Sequence, residues 1–301
     1  MWKKAIKGGV KVLAVAVVAI IAIILISKSF NQEKEDPVVS AYWEVNNGLL
    51  SFTNIEELNY TTEIAEEGSW YIIYNITYMS RGKEIYAQAY VPRGGGLNKG
   101  IVTLHAAGAT KEHHKQLDKK LLLNGYTAIA IDQRGHGMTG GESPSLQQDY
   151  ERFLRNEEPI IYLYVYDALL AGRILRDLGA EDVAYFGESM GGRFAIIAAA
   201  MDENSSGVFA YSTGGIEVAG ERTSFIDSID PNKYADKISP GKIVIYHAPA
   251  DDVIPIWMAE KLYVLAKEPK KFEPLRGTCI HGYCDLMDEY MFRDLEWIFS
   301  K

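Results

Sequence analysis

The sequence predicts an α/β domain with a mostly parallel central sheet, an antiparallel N-terminal edge and helices on both faces, preceded by one N-terminal transmembrane helix. Three observations support this prediction. Short apolar runs alternate with longer helical stretches from residue 101 onward, which is typical of parallel strands joined by helical crossovers. Two segments rich in strand-forming residues precede them, and a continuous apolar run lies close to the N-terminus.

The composition is that of a globular chain and argues against nucleic-acid binding. Of the 301 residues, 48% are hydrophobic and 24% are charged, which is enough for a buried core in one domain of catalytic size. The formal net charge is −9, whereas proteins that bind nucleic acids usually present a basic surface to the phosphates. Nucleic acid is therefore not an expected partner.

The N-terminal segment is predicted to enter a membrane. Residues 12–26 read VLAVAVVAIIAIILI, and residues 1–30 contain five lysines and no acidic residue. A helix at the surface of a protein core would have a polar face, and this run has none. We expect residues 1–30 to be a retained signal-anchor, with cleavage of a signal peptide near residues 27–29 and secretion as the alternative. The lysines place the N-terminus in the cytoplasm, so the remainder of the chain faces outward in either case.

A polar spacer is predicted to connect this segment to the folded domain. Residues 31–37 read NQEKEDP, which is typical of a solvated connection. We place the spacer at residues 31–45 and the folded domain at 46–301. Trp70–Met79 and Glu84–Val91 are rich in β-branched and aromatic residues and are separated by SRGK. They therefore predict a β-hairpin at one edge of the sheet.

The rest of the domain alternates predicted strands and helices. Compact apolar runs predict buried parallel strands at Ile101–His105, Tyr126–Asp132, Val183–Gly187, Val208–Ser212, Ile243–His247 and Lys271–Leu275. Segments of helical length and composition separate them, at Lys111–Asn124, Ile160–Leu178, Met190–Met201 and Ile256–Lys267. Right-handed crossovers between such strands place the helices on both faces of the sheet.

The segment GESMGG at residues 187–192 follows a predicted strand and begins an alanine-rich helix. A serine between glycines in such a strand–turn–helix lies on a tight turn, because larger flanking side chains would collide. The turn presents the hydroxyl at the N-terminus of a helix, which is the arrangement of a nucleophile elbow. We therefore predict that Ser189 is a catalytic nucleophile.

A serine nucleophile requires a general base, and chain order selects among the six histidines. In this type of fold the order is serine, acid, histidine, and only His247 and His281 follow Ser189. His247 ends a predicted strand, so we assign it a structural role and predict His281 as the base. The acid is predicted at Asp251, in a loop at the carboxyl end of a parallel strand, whereas Asp252 is expected to cap the following helix.

An oxyanion hole requires two backbone N–H groups, one of them from the residue after the nucleophile. That residue is Met190. The second donor is predicted to be Ala107, in the loop HAAG that follows the first parallel strand and consists of small residues after its histidine. This histidine, His105, is expected to bind nearby loop backbone.

Together these motifs resemble the α/β-hydrolase superfamily, and within it the monoacylglycerol-lipase and serine-aminopeptidase-like branch. The family loop His-Gly-x-Gly reads HAAG here, Asp-x-Arg-Gly-x-Gly-x-Ser reads DQRGHGMT from Asp132, and His-Gly-x-x-Asp-x-x-Val-Pro reads HAPADDVIP from His247. The resemblance extends from about residue 60 to the C-terminus, with Ala106 standing where the family has glycine. It implies that Asp251 is the catalytic acid, and the short interval from 214 to 241 implies a small or absent cap.

The expected function is hydrolysis of a carboxylic ester by a membrane-tethered serine hydrolase, through an acyl-enzyme on Ser189. A serine aminopeptidase, a thioesterase and an acyltransferase use the same triad, so the leaving group stays open. A non-catalytic surface-binding protein on a hydrolase scaffold is the alternative from a different class. The expected partners are a small ester or acyl substrate and the membrane, and no metal or organic cofactor is implied.

The two cysteines flank the predicted base in the segment CIHGYC at residues 279–284. An outward-facing domain lies in an oxidising compartment, where Cys279 and Cys284 would form a disulfide if their Cα atoms come within ~7 Å. Two separate buried thiols are the alternative. A metal site made of both cysteines and His281 is disfavoured because it has no clear fourth ligand.

Overall fold

A small antiparallel sheet begins the part of the chain covered by the computed structural model, which describes residues 38–94, 96–219 and 222–300. Its strands are β1 (Val38–Val39), β2 (Trp43–Asn46) and β3 (Leu49–Phe52). The spacer predicted to reach residue 45 therefore ends earlier. Trp43 is fully buried and stacks on Phe153, and burial of so large an apolar ring anchors this segment to the domain.

The central sheet has nine strands in the order β12-β11-β10-β9-β7-β8-β6-β5-β4. In chain order these strands are β4 (Tyr60–Glu67), β5 (Tyr71–Ser80), β6 (Lys83–Pro92), β7 (Lys99–Leu104), β8 (Thr127–Ile131), β9 (Asp182–Glu188), β10 (Ser205–Tyr211), β11 (Lys242–His247) and β12 (Lys270–Pro274). Strands β7 to β12 pair in parallel, and β4, β5 and β6 form the antiparallel edge. The predicted mostly parallel sheet with an antiparallel N-terminal edge is confirmed.

Helices pack on both faces of this sheet. They are α1 (Lys115–Leu123), α2 (Leu146–Leu154), α3 (Ile160–Asp177), α4 (Met190–Met201), α5 (Ser224–Ile229), α6 (Ile256–Leu265) and α7 (Asp288–Ile298). Apolar side chains of α1 and α7 belong to one core cluster, and those of α3, α4 and α6 belong to the other. The strands in between contribute alternate residues to the two clusters, because successive side chains of a strand point to opposite faces.

Strand β4 and helix α2 are among the elements that were not predicted from the sequence. Strand β4 exposes nearly every residue, so it lacks the apolar face by which strands are recognised. Helix α2 begins with a capping box between Ser145 and Gln148, a signal that the sequence contains. Its nine residues carry few apolar side chains, and Phe153 provides the buried contact.

The interval between β10 and β11, which follows the carboxyl end of a parallel strand, contains little regular structure. The described part of this interval contains α5 and two short 3₁₀ turns at Pro231–Lys233 and Ala235–Lys237. This agrees with the small cap expected from the length of the interval.

The predicted membrane segment, residues 1–30, lies outside the described residues. Within the described residues, no helix is both long enough and apolar enough to cross a membrane.

Candidate active site

Ser189 lies on the turn from β9 into α4, with φ 51° and ψ −113°. A non-glycine residue in this region of backbone space is strained, at a cost of about 1–3 kcal/mol. Two hydrogen bonds hold the strained turn. The Ser189 amide donates to the Tyr211 carbonyl at 3.0 Å, and the Thr213 hydroxyl donates to the Ser189 carbonyl at 2.7 Å. The serine is partly exposed, so its hydroxyl is accessible to a substrate.

The glycines of the turn allow three backbone segments to approach closely. A Cβ atom on Gly187 would lie 2.6 Å from the carbonyl carbon of Gly191, and one on Gly191 would lie 2.6 Å from the His105 carbonyl oxygen. Ordinary contacts of a Cβ atom begin near 3.4 Å. The absence of a side chain at Gly191 therefore brings the start of α4 against the loop that follows β7.

The predicted acid and base form a hydrogen bond in the structure. Asp251 follows β11, is 7% exposed, and its Oδ2 lies 2.9 Å from His281 Nδ1. Its Oδ1 accepts hydrogen bonds from the amides of Val253 at 2.9 Å and Ile254 at 2.8 Å. Because a carboxylate only accepts hydrogen bonds, Nδ1 of His281 carries the proton and Nε2 is left with its lone pair.

A disulfide and a hydrogen bond hold the loop that carries His281. Cys279 and Cys284 form a disulfide with a Cα–Cα distance of 5.7 Å, so the predicted bridge is present. The Gly282 amide donates to the Ser212 hydroxyl at 2.9 Å. Ser212 has a positive φ of 48° directly after β10. We did not predict its role from the sequence. The one available signal was its position at the carboxyl end of a predicted parallel strand.

The base loop lies against the nucleophile turn. A Cβ atom on Gly282 would lie 2.9 Å from Glu188 Oε1, so the residue after His281 touches the residue before Ser189. The predicted triad is thus gathered at the carboxyl ends of β9 and β11. Among the described residues no hydrogen bond joins the Ser189 hydroxyl to His281, and such contacts often tighten only when substrate binds.

His247 takes the structural role predicted for it. Its side chain is fully buried, and its Nε2 donates to the Ile254 carbonyl at 2.7 Å. Burial lowers the pKa of His247, so the ring is neutral and serves as a donor to the loop. This bond helps to fix the same loop whose amides hold Asp251.

The two predicted oxyanion donors are free for a substrate. The amides of Ala107 and Met190 make no hydrogen bond within the described part of the chain. The next amide, of Gly108, donates to His136 Nε2 at 3.1 Å. Ala106 does not have a positive φ, so the backbone there does not require the glycine found in the family.

The segment DQRGHGMT supports the oxyanion loop. The Gln133 side chain donates to the His105 carbonyl at 2.8 Å, and the Gln133 amide donates to His105 Nε2 at 3.2 Å. His136 Nδ1 donates to the Arg134 carbonyl at 3.0 Å, which leaves Nε2 to accept from Gly108. Burial lowers the pKa of His105 to about 4, consistent with the neutral, backbone-bound ring expected from the sequence.

One cluster among the described residues has donor atoms close enough together to hold a metal ion: His113, His114 and Glu188. None of these residues belongs to the predicted triad. Burial opposes ionisation of Glu188, but hydrogen bonds from His114 and Tyr211 lower its pKa to about 2. The carboxylate is therefore charged at neutral pH.

The family model that matches this chain is described as the alpha/beta hydrolase fold and covers residues 101–241. Over these residues, just under half of the chain, the sequence matches the α/β-hydrolase fold. This confirms the resemblance seen in the sequence at the level of the superfamily, while the monoacylglycerol-lipase-like branch stays a prediction. The matched residues include Ser189 and end before Asp251 and His281, whose placement rests on the geometry described above.

Two curated relatives and several solved structures are similar to this chain. The uncharacterized protein YfhR of Escherichia coli O157:H7 is 27% identical over 183 residues, and that of strain K12 is 26% identical over 186 residues. In both cases the match covers 57% of this chain and 59% of the relative.

The similar structures share the fold over most of the chain. An acetyl xylan esterase from Paenibacillus sp. R4 has a TM-score of 0.67 at 18% identity, and the match covers 81% of this chain and 90% of the esterase. Acetyl xylan esterase 1 from Thermoanaerobacterium sp. JW/SL YS485 has a TM-score of 0.64 at 16% identity, and the match covers 81% of this chain and 89% of the esterase. A cold-adapted esterase from an Arctic intertidal metagenomic library has a TM-score of 0.61 at 16% identity, and the match covers 81% of this chain and 98% of the esterase.

Proposed function

We propose that this α/β hydrolase cleaves carboxylic esters through an acyl-enzyme on Ser189, with His281 as general base and acid and Asp251 as its partner. The observation that carries the proposal is the 2.9 Å hydrogen bond between Asp251 Oδ2 and His281 Nδ1, in a loop that touches the strained Ser189 turn. A neutral imidazole fixed in this tautomer has the correct nitrogen free to take a proton from a hydroxyl.

The reaction follows from the roles of these groups. His281 Nε2 removes the proton of the Ser189 hydroxyl as Oγ attacks the carbonyl carbon of the ester, and the carbonyl oxygen becomes an oxyanion. The free amides of Ala107 and Met190 donate to that oxygen. The tetrahedral intermediate then expels the alcohol, which takes the proton from His281 Nε2. Water, deprotonated by the same nitrogen, attacks the acyl-enzyme and releases the acid.

The substrate class is proposed from two sources that point to different acyl lengths. The similar structures include two enzymes named as acetyl xylan esterases, which favours a short acyl group. The sequence resemblance to the monoacylglycerol-lipase-like branch favours a long one. The small cover between β10 and β11 supports an open site that accepts esters of either length.

We propose further that the intact chain is tethered to the membrane with the catalytic domain outside. The apolar run at residues 12–26 and the lysines before it support this placement, and the disulfide is of the kind that persists in oxidising compartments. The domain should fractionate with membranes and be released by external protease that cuts within residues 31–37. Recovery of a soluble mature protein that begins near residue 30 would show a cleaved signal instead.

The ester proposal is tested on the intact chain in detergent with p-nitrophenyl esters of increasing acyl length, beside a thioester and an aminoacyl anilide. We expect Ser189→Ala to lower ester turnover by roughly 10⁴- to 10⁶-fold, as when the nucleophile of a comparable triad is removed. Ser51→Ala, at an exposed serine of β3, is the matched control and should retain full activity. Preferred turnover of the anilide or thioester would reassign the leaving group, and equal activity of the two variants would disprove the role of Ser189.

A further inference from the structure

Glu188 carries a buried carboxylate that the proposed mechanism does not use. Its Oε2 lies 3.0 Å from His113 Nε2, 3.1 Å from His114 Nε2 and 2.7 Å from the Tyr211 hydroxyl. The Tyr211 hydroxyl also lies 3.0 Å from His114 Nε2. Four side chains from three parts of the fold therefore converge on one point.

Rigid elements hold this cluster. Glu188 and Tyr211 are paired residues at the ends of the adjacent parallel strands β9 and β10, so their side chains leave the sheet on the same face. His113 and His114 lie in the 3₁₀ turn Lys111–His114, which leads directly into α1. Although they are consecutive residues, both turn Nε2 toward the same carboxylate oxygen. Ligands fixed by regular elements in this way are preorganised for an ion.

The spacing of these atoms is close to that of a tetrahedral zinc site. Zinc–nitrogen and zinc–oxygen bonds of about 2.0–2.1 Å separate the ligand atoms by roughly 3.3–3.4 Å. The distances from Glu188 Oε2 to the two imidazoles, 3.0 and 3.1 Å, would need to open by only a few tenths of an ångström. Two imidazoles and one carboxylate are also a donor set that suits zinc.

Charge and access favour a cation at this position. Within the described residues, the ion-pair partners of Glu188 are the two imidazoles alone, so no lysine or arginine balances the buried carboxylate. Buried charges in proteins are paired or coordinate metals. The side chain of His113 is 45% exposed whereas that of His114 is 3% exposed. The cluster is therefore open to solvent on the His113 side and closed to solvent on the His114 side.

We propose that His113 Nε2, His114 Nε2 and Glu188 Oε2 bind a divalent transition-metal ion, with Zn²⁺ as the best match and water at the fourth position on the open side. Each imidazole would coordinate through Nε2, with its proton on Nδ1. The Tyr211 hydroxyl donates to the coordinating carboxylate, which is the usual role of an outer partner of a metal ligand.

The site is separate from the triad and adjacent to it. Glu188 precedes Ser189 in the chain and touches Gly282, the residue after the proposed base. A bound ion would tie the start of α1 to the ends of β9 and β10, next to the loop that carries His281. Its role is structural, and binding does not depend on whether the enzyme turns over esters.

The test measures zinc binding to the intact chain in detergent, after a chelator has been applied and removed, by calorimetric titration with Zn²⁺ alone. We expect one ion per chain for the wild type. His113→Gln should weaken binding by at least about tenfold, since the loss of even an outer partner of a metal ligand costs that much. Glu112→Gln, on the exposed side of the same turn, is the matched control and should bind as the wild type does.

Zinc could also bind to the proposed base, so His281→Gln is titrated in parallel and should retain one ion per chain. His113 is half exposed, so its replacement should not prevent folding, and unfolding by urea checks this for every variant. Absence of saturable binding in the wild type would overturn the proposal. Equal affinity of His113→Gln and Glu112→Gln would overturn it too, as would binding that is lost only in His281→Gln.

Discussion

Replacement of Asp251 by asparagine should impair catalysis far more than stability, because the two carboxylate oxygens have different tasks. Oδ1 accepts hydrogen bonds from the amides of Val253 and Ile254, and Oδ2 accepts one from His281 Nδ1. An asparagine of the same shape keeps its carbonyl oxygen on the two amides, so its NH₂ group faces Nδ1. Nδ1 must then accept, and the imidazole proton moves to Nε2, where it blocks proton transfer from Ser189.

The alternative orientation of the asparagine is disfavoured by the same two amides. It would point NH₂ at both of them, so two hydrogen bonds of about 0.5–1.5 kcal/mol each would be replaced by contacts between donors. The unproductive tautomer of His281 therefore dominates. A comparable change in a serine protease lowers kcat by about 10⁴-fold, which corresponds to roughly 5 kcal/mol of transition-state stabilisation at 1.36 kcal/mol per factor of ten.

The assay compares kcat for p-nitrophenyl acetate with the free energy of unfolding in urea. Asp252→Asn is the matched control, because Asp252 is the adjacent, exposed aspartate and the change removes the same charge. We expect Asp251→Asn to lose about 10⁴-fold in kcat and Asp252→Asn to lose almost nothing. A kcat for Asp251→Asn within tenfold of the wild type would refute the orientation argument.

Three further predictions concern the supporting structure. Gly191→Ala should reduce kcat by about 10²-fold, because its Cβ would overlap the carbonyl oxygens of Leu104 and His105 at the start of the oxyanion loop and force a shift of about 1 Å. Gly82→Ala, with nothing within 4 Å of the added Cβ, is the control and should keep its kcat. Replacement of Cys279 and Cys284 by serine should lower kcat by at least about tenfold and the free energy of unfolding by only about 2 kcal/mol, since the closed loop is short. Folding lowers the pKa of His105 from 6.5 to about 4, so the unfolded state binds more protons than the folded state between these pH values. The free energy of unfolding should therefore fall by about 3 kcal/mol from pH 7 to pH 4 because of this histidine.

Each of these has a result that would contradict it. Equal kcat for the two glycine variants would show that the close approach at Gly191 does not position the oxyanion loop. Loss of stability without loss of turnover in the double serine variant would make the disulfide a purely structural element. If replacement of His105 by glutamine left the slope of unfolding free energy between pH 7 and pH 4 unchanged, its burial would not be the cause of the acid sensitivity.

The sequence was sufficient to predict the elements whose signal is local. The central parallel strands are buried on both faces, so they read as continuous apolar runs. All six predicted parallel strands, and helices α3, α4 and α6, lie within three residues of their observed bounds. The turn around Ser189 was predictable because its glycines, its strand and its helix are neighbours in the chain. The hairpin of β5 and β6 was predictable for the same reason.

The remaining features depend on contacts between distant residues. Strand β4 is an exposed edge with no apolar face, and β2 is anchored by the packing of Trp43 on a helix more than a hundred residues away. Ser212 supports the base loop 70 residues later in the chain, and Glu188 meets His114 at a separation of 74 residues. Residue type alone did not indicate which side chains would converge.

The central claim is that Ser189 is a nucleophile activated by His281, and the most direct measurement is the site of covalent labelling by a fluorophosphonate. The folded, intact chain is treated with the probe, and the adduct is located by mass spectrometry of its peptides. We predict one adduct per chain, on Ser189, that forms far more slowly in His281→Gln and is absent from Ser189→Ala. A folded protein that does not label, or that labels at another residue, would contradict the proposed mechanism.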